Sequence, residues 1–235
     1  LYKISLKNTL QVWFANVHDK KLFLNLNIIK KQETAIVPGA GAIFNKTLKN
    51  KNLDNNKLTF MMISRIQKEK GVKEFLDTAA AFKNDLNKNF ILIGSVDDRD
   101  PNKISSRVLE KYIADKSITH YEYQEGLEGY LNEASCIIHP SYREGLSTIL
   151  LEAAVLKIPI ITTKVPGCID IVPNETFGLL CMPRSTHSLK SAVEKFSLLS
   201  DIDKSSMAEK TYDFVKNNFD RKQIYNKYIS VINNI

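Results

Sequence analysis

The sequence predicts an α/β chain built on a doubly wound parallel sheet. Three observations carry that prediction. Short, largely apolar runs recur at residues 58–63, 89–96, 136–138 and 158–163. Segments long enough for helices separate them. Turn residues sit at the ends of the runs, so the connections are short. Nearly continuous apolar runs are what strands covered on both faces require. Strands that alternate with helices over short connections belong to βαβ units.

Size and composition agree with one ordinary domain, or one plus part of another, for the chain has 235 residues. An apolar content of 43% supplies a core. No apolar run approaches the roughly 18 residues of a spanning helix. No signal-peptide pattern is expected: Leu1 is not Met, and Lys3 and Lys7 interrupt the first apolar residues. Cys136, Cys168 and Cys181 are odd in number and lack metal-ligand spacing. They are expected to be reduced thiols of a cytoplasmic protein. The net charge of +7 comes mostly from lysine. No Arg-rich or aromatic-basic motif accompanies it, so nucleic acid is not an expected partner. An anionic small molecule or an anionic membrane surface fits better. A plain, solvated lysine surface fits equally well.

The elements follow in order. Residues 1–44 do not read as the start of a domain. They offer a strand at 10–16, a short helix at 19–26 and a strand at 33–38, closed by Pro38-Gly39-Ala40-Gly41. His18 reads as a surface residue. Residues 45–57 are polar and without periodicity, and are expected to be a linker. The strand at 58–63 ends at Ser64-Arg65, and a helix follows from 72 to about 84. Arg65 and Lys70 therefore stand at the carboxyl end of the first strand, where open α/β sheets bind ligands. A strand at 89–96 contains Gly94, which permits close backbone approach. The charged loop 97–101 reads as capped and solvated, because its spacing lacks the glycine and glutamate of an EF-hand. A helix to about 116, a strand at 117–124 and a helix to 134 come next. After the central stretch come strands at 158–163 and 177–182 and a helix at 186–199. Two helical segments close the chain, at 204–217 and 221–233. Phe219, Tyr225, Tyr228 and Ile232 are the expected apolar face at the end.

The central stretch, residues 139–156, leaves an apolar strand, turns through Pro140, Ser141 and Gly145, and enters a helix expected at 146–157. Glu144 and Glu152 lie eight residues apart in it. Eight helical residues rise ~12 Å. Paired glycosidase carboxylates sit roughly 5–9.5 Å apart, so these two do not flank one scissile bond. Glu144 stands at the helix mouth. Glu152 stands in a helix apolar nearly all round and is expected to be buried. A buried carboxylate needs donors, and sugar or ribose hydroxyls would serve. The free N–H groups of Leu146, Ser147 and Thr148 would make an anion site.

Pro140-Ser141-Tyr142-Arg143-Glu144-Gly145-Leu146, followed by Glu152, resembles the Glu-x7-Glu motif of glycosyltransferase family 4 (group 1, GT-B fold). The resemblance runs through about residues 57–195 and looks closest to bacterial enzymes of capsule, lipopolysaccharide and lipid-linked glycan synthesis. It implies a retaining hexosyltransferase whose Rossmann-like C-terminal half binds a UDP-sugar. Arg65 and Lys70 would brace the pyrophosphate, a role that a guanidinium fork beside an ammonium suits. They would also stabilise charge on the leaving nucleotide. Amides of Gly145, Leu146, Ser147 and Thr148 would meet the sugar and phosphate. Glu144 would touch the sugar hydroxyls, and Glu152 the ribose. The catalytic set is then Glu144, Arg65 and Lys70, with no cofactor and no metal. The family carries Gly where Glu122 stands here, a departure in the base-binding loop.

The resemblance also divides the chain. Residues 1–44 would be the tail of an N-terminal acceptor domain and 45–57 the linker. Residues 58–200 would be the donor domain and 201–235 the closing helices, the last returning to the N-terminal side. Such a piece is expected to bind a nucleotide-sugar weakly and to transfer nothing alone. The acceptor would be a glycan or lipid-linked glycan, met at the cytoplasmic membrane face through the basic surface. Two alternatives remain at this point: a non-catalytic nucleotide-sugar-binding module, and a GT-B nucleotide-sugar epimerase.

Overall fold

The computed structural model describes residues 1–30, 34–45, 57–123 and 126–233. Most of the expected linker, Glu33 and the loop residues Gln124 and Glu125 lie outside them. The chain opens with α1 (Tyr2–Ser5), β1 (Val12–Phe14), α2 (Val17–Asn25) and β2 (Thr34–Ile36). β1 and β2 pair in parallel as a small sheet of their own. Asn16 starts α2 because its side-chain oxygen accepts from the Asp19 amide at 2.7 Å. Phe23 of α2 meets Phe14 of β1 edge-on, with centroids 5.1 Å apart.

The main sheet comprises β3 (Leu58–Ile63), β4 (Lys88–Ile93), β5 (Thr119–Tyr121), β6 (Cys136–His139), β7 (Ile160–Thr163) and β8 (Leu179–Cys181). Its order is β5-β4-β3-β6-β7-β8, with every neighbour parallel. The doubly wound parallel sheet expected from the sequence is present. Strands expected at 89–96, 117–124 and 177–182 are shorter, because pairing stops where the chain leaves the sheet edge.

Side chains alternate across a strand, and here both sides are core. Met61 and Ile63 of β3 pack on one face, Phe60 and Met62 on the other. Ile91 and Ile93 of β4 follow the first pair, Phe90 and Leu92 the second. That explains why the strands read as continuous apolar runs. On one face lie α3 (Val72–Ala81), α4 (Ser106–Ala114) and α7 (Thr186–Leu198). On the other lie α5 (Glu128–Leu131), α6 (Thr148–Val155) and the second half of α8 (Asp201–Phe219). Ser185 and Ser200 cap α7 and α8, each accepting an amide at 3.1 Å. Asp201 and Asp203 add negative charge to the first turn of α8.

The chain breaks at Asp220 and continues as α9 (Arg221–Asn233). Ala42 is stitched to that break, donating to the Phe219 carbonyl at 2.7 Å and accepting from the Arg221 amide at 2.9 Å. The closing helix does reach residues 1–44. Tyr228 meets Trp13 in a tilted ring contact, centroids 5.5 Å apart, and donates to the Gly39 carbonyl at 3.1 Å. Its expected apolar face is corrected in part. Ile224 is the buried residue of α9, whereas Tyr225 and Ile232 are 63% and 56% exposed. Among the described residues, no helix is long and apolar enough to cross a membrane.

Candidate active site

The strand order reverses between β3 and β6. From β3 the chain winds outward to β5, then returns to β6 and winds the other way. The loops that leave the two central strands therefore diverge and open a crevice at their carboxyl ends. That crevice has a volume of about 570 Å³. Arg65 and Lys70 line it from the β3 side, Gly94 and Ser95 from β4, and His139, Glu144 and Leu146–Ile149 from the β6 side.

Several contacts hold the two central loops in register. A 3-10 helix, Lys68–Lys70, ends at Gly71 with φ +74°. A Cβ at Gly71 would lie 2.0 Å from the Pro140 carbonyl oxygen, so the close approach needs glycine. The Glu69 carbonyl accepts the Tyr142 amide at 2.8 Å and the Ser141 hydroxyl at 3.2 Å. Tyr142 in turn donates to Glu74 of α3 at 2.7 Å, with the Arg184 guanidinium 4.8 Å over its ring. Burial and that carboxylate push the Tyr142 phenol upward. The result fixes Lys70 opposite Glu144, although they are 74 residues apart in sequence.

Glu144 is the electrostatic centre of the crevice. Its Oε1 accepts from Lys70 Nζ at 2.7 Å and from His139 Nε2 at 2.9 Å. Burial pushes the carboxyl up, but these two donors outweigh burial and bring it down to about 2. A depressed carboxylate contributes stability above its unfolded value and loses it as pH falls through the folded value. The stability that Glu144 adds over a Glu144→Gln variant is therefore expected to be full above about pH 5 and to vanish between 4.5 and about 2. Chemical denaturation of both proteins at a series of pH values checks this; a constant difference would contradict it.

Seven of the residues singled out in the sequence line the crevice: Arg65, Lys70, Glu144, Leu146, Ser147, Thr148 and Glu152. Arg65 is exposed, and among the described residues its side chain makes no hydrogen bond or ion pair. Gly145 does not line the crevice; its carbonyl accepts from Asn16 Nδ2 at 2.9 Å. Two expectations are corrected. The helix begins at Thr148 with Ser147 as N-cap, so the free amides of its first turn are those of Thr148, Ile149 and Leu150. The Ser147 hydroxyl makes no capping bond and is buried without a partner among the described residues. Glu152 is exposed, not buried. Leu150, Leu151, Ala153 and Ala154 pack inward, while Glu152 takes the open side of α6 and edges the crevice.

His139 is the site residue that sequence reasoning passed over. Its signal was a polar side chain ending an otherwise apolar strand, five residues before Glu144. The cysteines are buried, and among the described residues none forms a disulfide. Burial raises Cys168 to about 11 and Cys181 to about 12, which leaves both as thiols. Among the described residues, no group of three or more His, Cys, Asp or Glu could hold a metal ion.

Residues 44–214 match the family model described as glycosyl transferases group 1. The chain belongs to that family. This group 1 glycosyltransferase chain is 25% identical over 217 residues to the N,N'-diacetylbacillosaminyl-diphospho-undecaprenol alpha-1,3-N-acetylgalactosaminyltransferase of Campylobacter jejuni, covering 87% of this chain and 54% of that protein. It is 25% identical over 229 residues to the capsular polysaccharide biosynthesis glycosyltransferase CapM of Staphylococcus aureus, covering 91% and 56%. The chain thus spans about half the length of the curated relatives it matches. The solved structure of Anabaena HepE in complex with UDP and glucose superposes with a TM-score of 0.86 at 12% identity, over 100% of this chain and 67% of that one. A glycosyltransferase of Rickettsia africae gives 0.83 at 17% identity, over 98% and 65%. These likenesses are of fold: the Rossmann-like half of a GT-B glycosyltransferase.

Proposed function

We propose that this chain is the donor-binding part of a retaining family 4 glycosyltransferase. It would move a sugar from a UDP-sugar to a glycan or lipid-linked glycan in bacterial surface polysaccharide or glycoconjugate synthesis. One observation carries the reading: the crevice at the strand-order reversal joins Arg65, whose guanidinium is unpaired among the described residues, to a Lys70–Glu144 pair and the first-turn amides of α6. That is a diphosphate site beside a hydroxyl acceptor. The named relatives lend support, since one acts on a lipid-linked diphosphate sugar and another in capsule synthesis.

In this reading residues 58–200 hold the donor. Residues 1–44 lie on the acceptor side, where Arg143 pairs with Asp19 at 2.7 Å and Asn16 holds Gly145. Arg65 and Lys70 take the pyrophosphate and stabilise charge on the departing nucleotide, with the α6 N-terminus adding its partial positive charge. No metal is required for that electrostatic work. Glu144 takes sugar hydroxyls through Oε2, which accepts no hydrogen bond among the described residues. Glu152, open at the crevice edge, meets the ribose. The basic surface would bring the protein to the cytoplasmic membrane face.

Calorimetry separates the two glutamates. Glu152→Gln is expected to lower affinity for UDP itself by roughly ten-fold, the equivalent of one charged hydrogen bond. Glu144→Gln is expected to leave UDP binding nearly intact and to weaken the UDP-sugar alone. The opposite pattern would exchange the two roles. A chain that binds no nucleoside diphosphate would reject the reading.

A further inference from the structure

We propose that His139 is the positioning residue for Glu144, holding its carboxylate through Nε2 while Lys70 leaves it for the donor's phosphate. The inference rests on the donor site proposed above and goes beyond it.

The argument starts from a conflict. Lys70 lies 2.7 Å from Glu144, yet the proposed reaction needs Lys70 on the pyrophosphate. One ammonium has three protons, but its point charge cannot neutralise two anionic centres fully. When a diphosphate enters, Lys70 must turn toward it. Glu144 then loses a partner at the moment it has to meet the sugar. A partly buried carboxylate without a donor would swing or take up a proton.

His139 removes that conflict. A carboxylate offers only lone pairs, so Nε2 carries the hydrogen and donates to Glu144 Oε1 at 2.9 Å. The ring has little freedom. His139 is the last residue of β6 and is 3% exposed. Its carbonyl accepts the Thr162 hydroxyl of β7 at 2.8 Å. Lys70 differs in kind: a long, four-rotor side chain, 20% exposed, at the end of the 3-10 helix. Of the two donors on Oε1, the flexible one departs and the rigid one stays. Both approach the same oxygen, so Oε2 is left open for the sugar throughout.

The test compares UDP with UDP-glucose and UDP-N-acetylgalactosamine by calorimetry, in wild type, His139→Gln and His139→Leu. The side-chain nitrogen of Gln can reach the place of Nε2; Leu has none. In His139→Leu the affinity for the better-bound UDP-sugar is expected to fall about ten-fold or more, with UDP affinity within about three-fold of wild type. His139→Gln is expected to recover most of the loss. If His139→Leu does not fold, His139→Gln and His139→Asn are compared instead, because the shorter Asn amide matches the place of Nδ1. Equal binding by Gln and Asn variants would overturn the proposal, as would a folded His139→Leu protein with unchanged UDP-sugar affinity. A wild-type chain that binds no nucleoside diphosphate would overturn the donor-site reading, and this inference with it. Binding of UDP-sugar by wild type with a negative His139 result overturns the His139 role alone.

Discussion

Gly71→Ala is expected to lower the thermal midpoint by roughly 5–15 °C and to weaken UDP binding in the protein that remains folded. Two costs combine. Gly71 has φ +74°, a conformation that costs a non-glycine residue about 1–3 kcal/mol. The new Cβ would also stand 2.0 Å from the Pro140 oxygen and 2.7 Å from its carbonyl carbon. Both are backbone atoms, so no side chain can swing aside. Relief requires the 3-10 helix that carries Lys70 to move away from the loop that carries Glu144. Stability and ligand affinity therefore fall together. Gly129→Ala is the control. A Cβ there meets nothing within 4 Å, and its φ is not positive, so alanine in α5 should be neutral or slightly stabilising. Unfolding followed by circular dichroism measures both variants. A Gly71→Ala protein as stable as Gly129→Ala would show that the two central loops can separate freely.

Arg65→Ala and Lys70→Ala are each expected to reduce UDP affinity by ten-fold or more, since hydrogen bonds to charged groups contribute about 1.5–3 kcal/mol. The two losses differ in what else they disturb. Arg65 is exposed and unpaired among the described residues, so its removal should leave stability within about 0.5 kcal/mol. Lys70 is paired with Glu144. Its removal strips one of the two donors from a mostly buried carboxylate, so the Glu144 carboxyl should rise from its depressed value. The pH at which Glu144 stops contributing stability should then move upward in Lys70→Ala and stay put in Arg65→Ala. Calorimetry with UDP and denaturation across acid pH read the two effects separately. Unchanged UDP affinity in both variants would remove the pyrophosphate assignment.

Part of this protein was legible without coordinates because its signals are local. β3, β4, β6 and β7 announced themselves, since strands buried on both faces must be apolar at nearly every position. Arg65, Lys70 and Glu144 stood out because charged residues just beyond such strands lie at the sheet's carboxyl edge. Where local reasoning failed, the missing fact was direction. Glu152 sits among apolar neighbours in sequence, yet in α6 it is exposed and lines the crevice. Gly145 follows Glu144 directly, yet it faces Asn16 rather than the crevice.

The class of fold, the alternation of strand and helix, and the charged residues at strand ends could be read along the chain. Those properties follow from periodicity and burial, which are written along the chain. That β3 and β6 are neighbours, that Lys70 reaches Glu144 across 74 residues, and that His139 shares the same carboxylate oxygen emerges with the folded chain alone. Pairings of that kind depend on which strands associate and how closely two backbones can approach. The chain meets that requirement at Gly71 against Pro140, and no one-dimensional pattern records it.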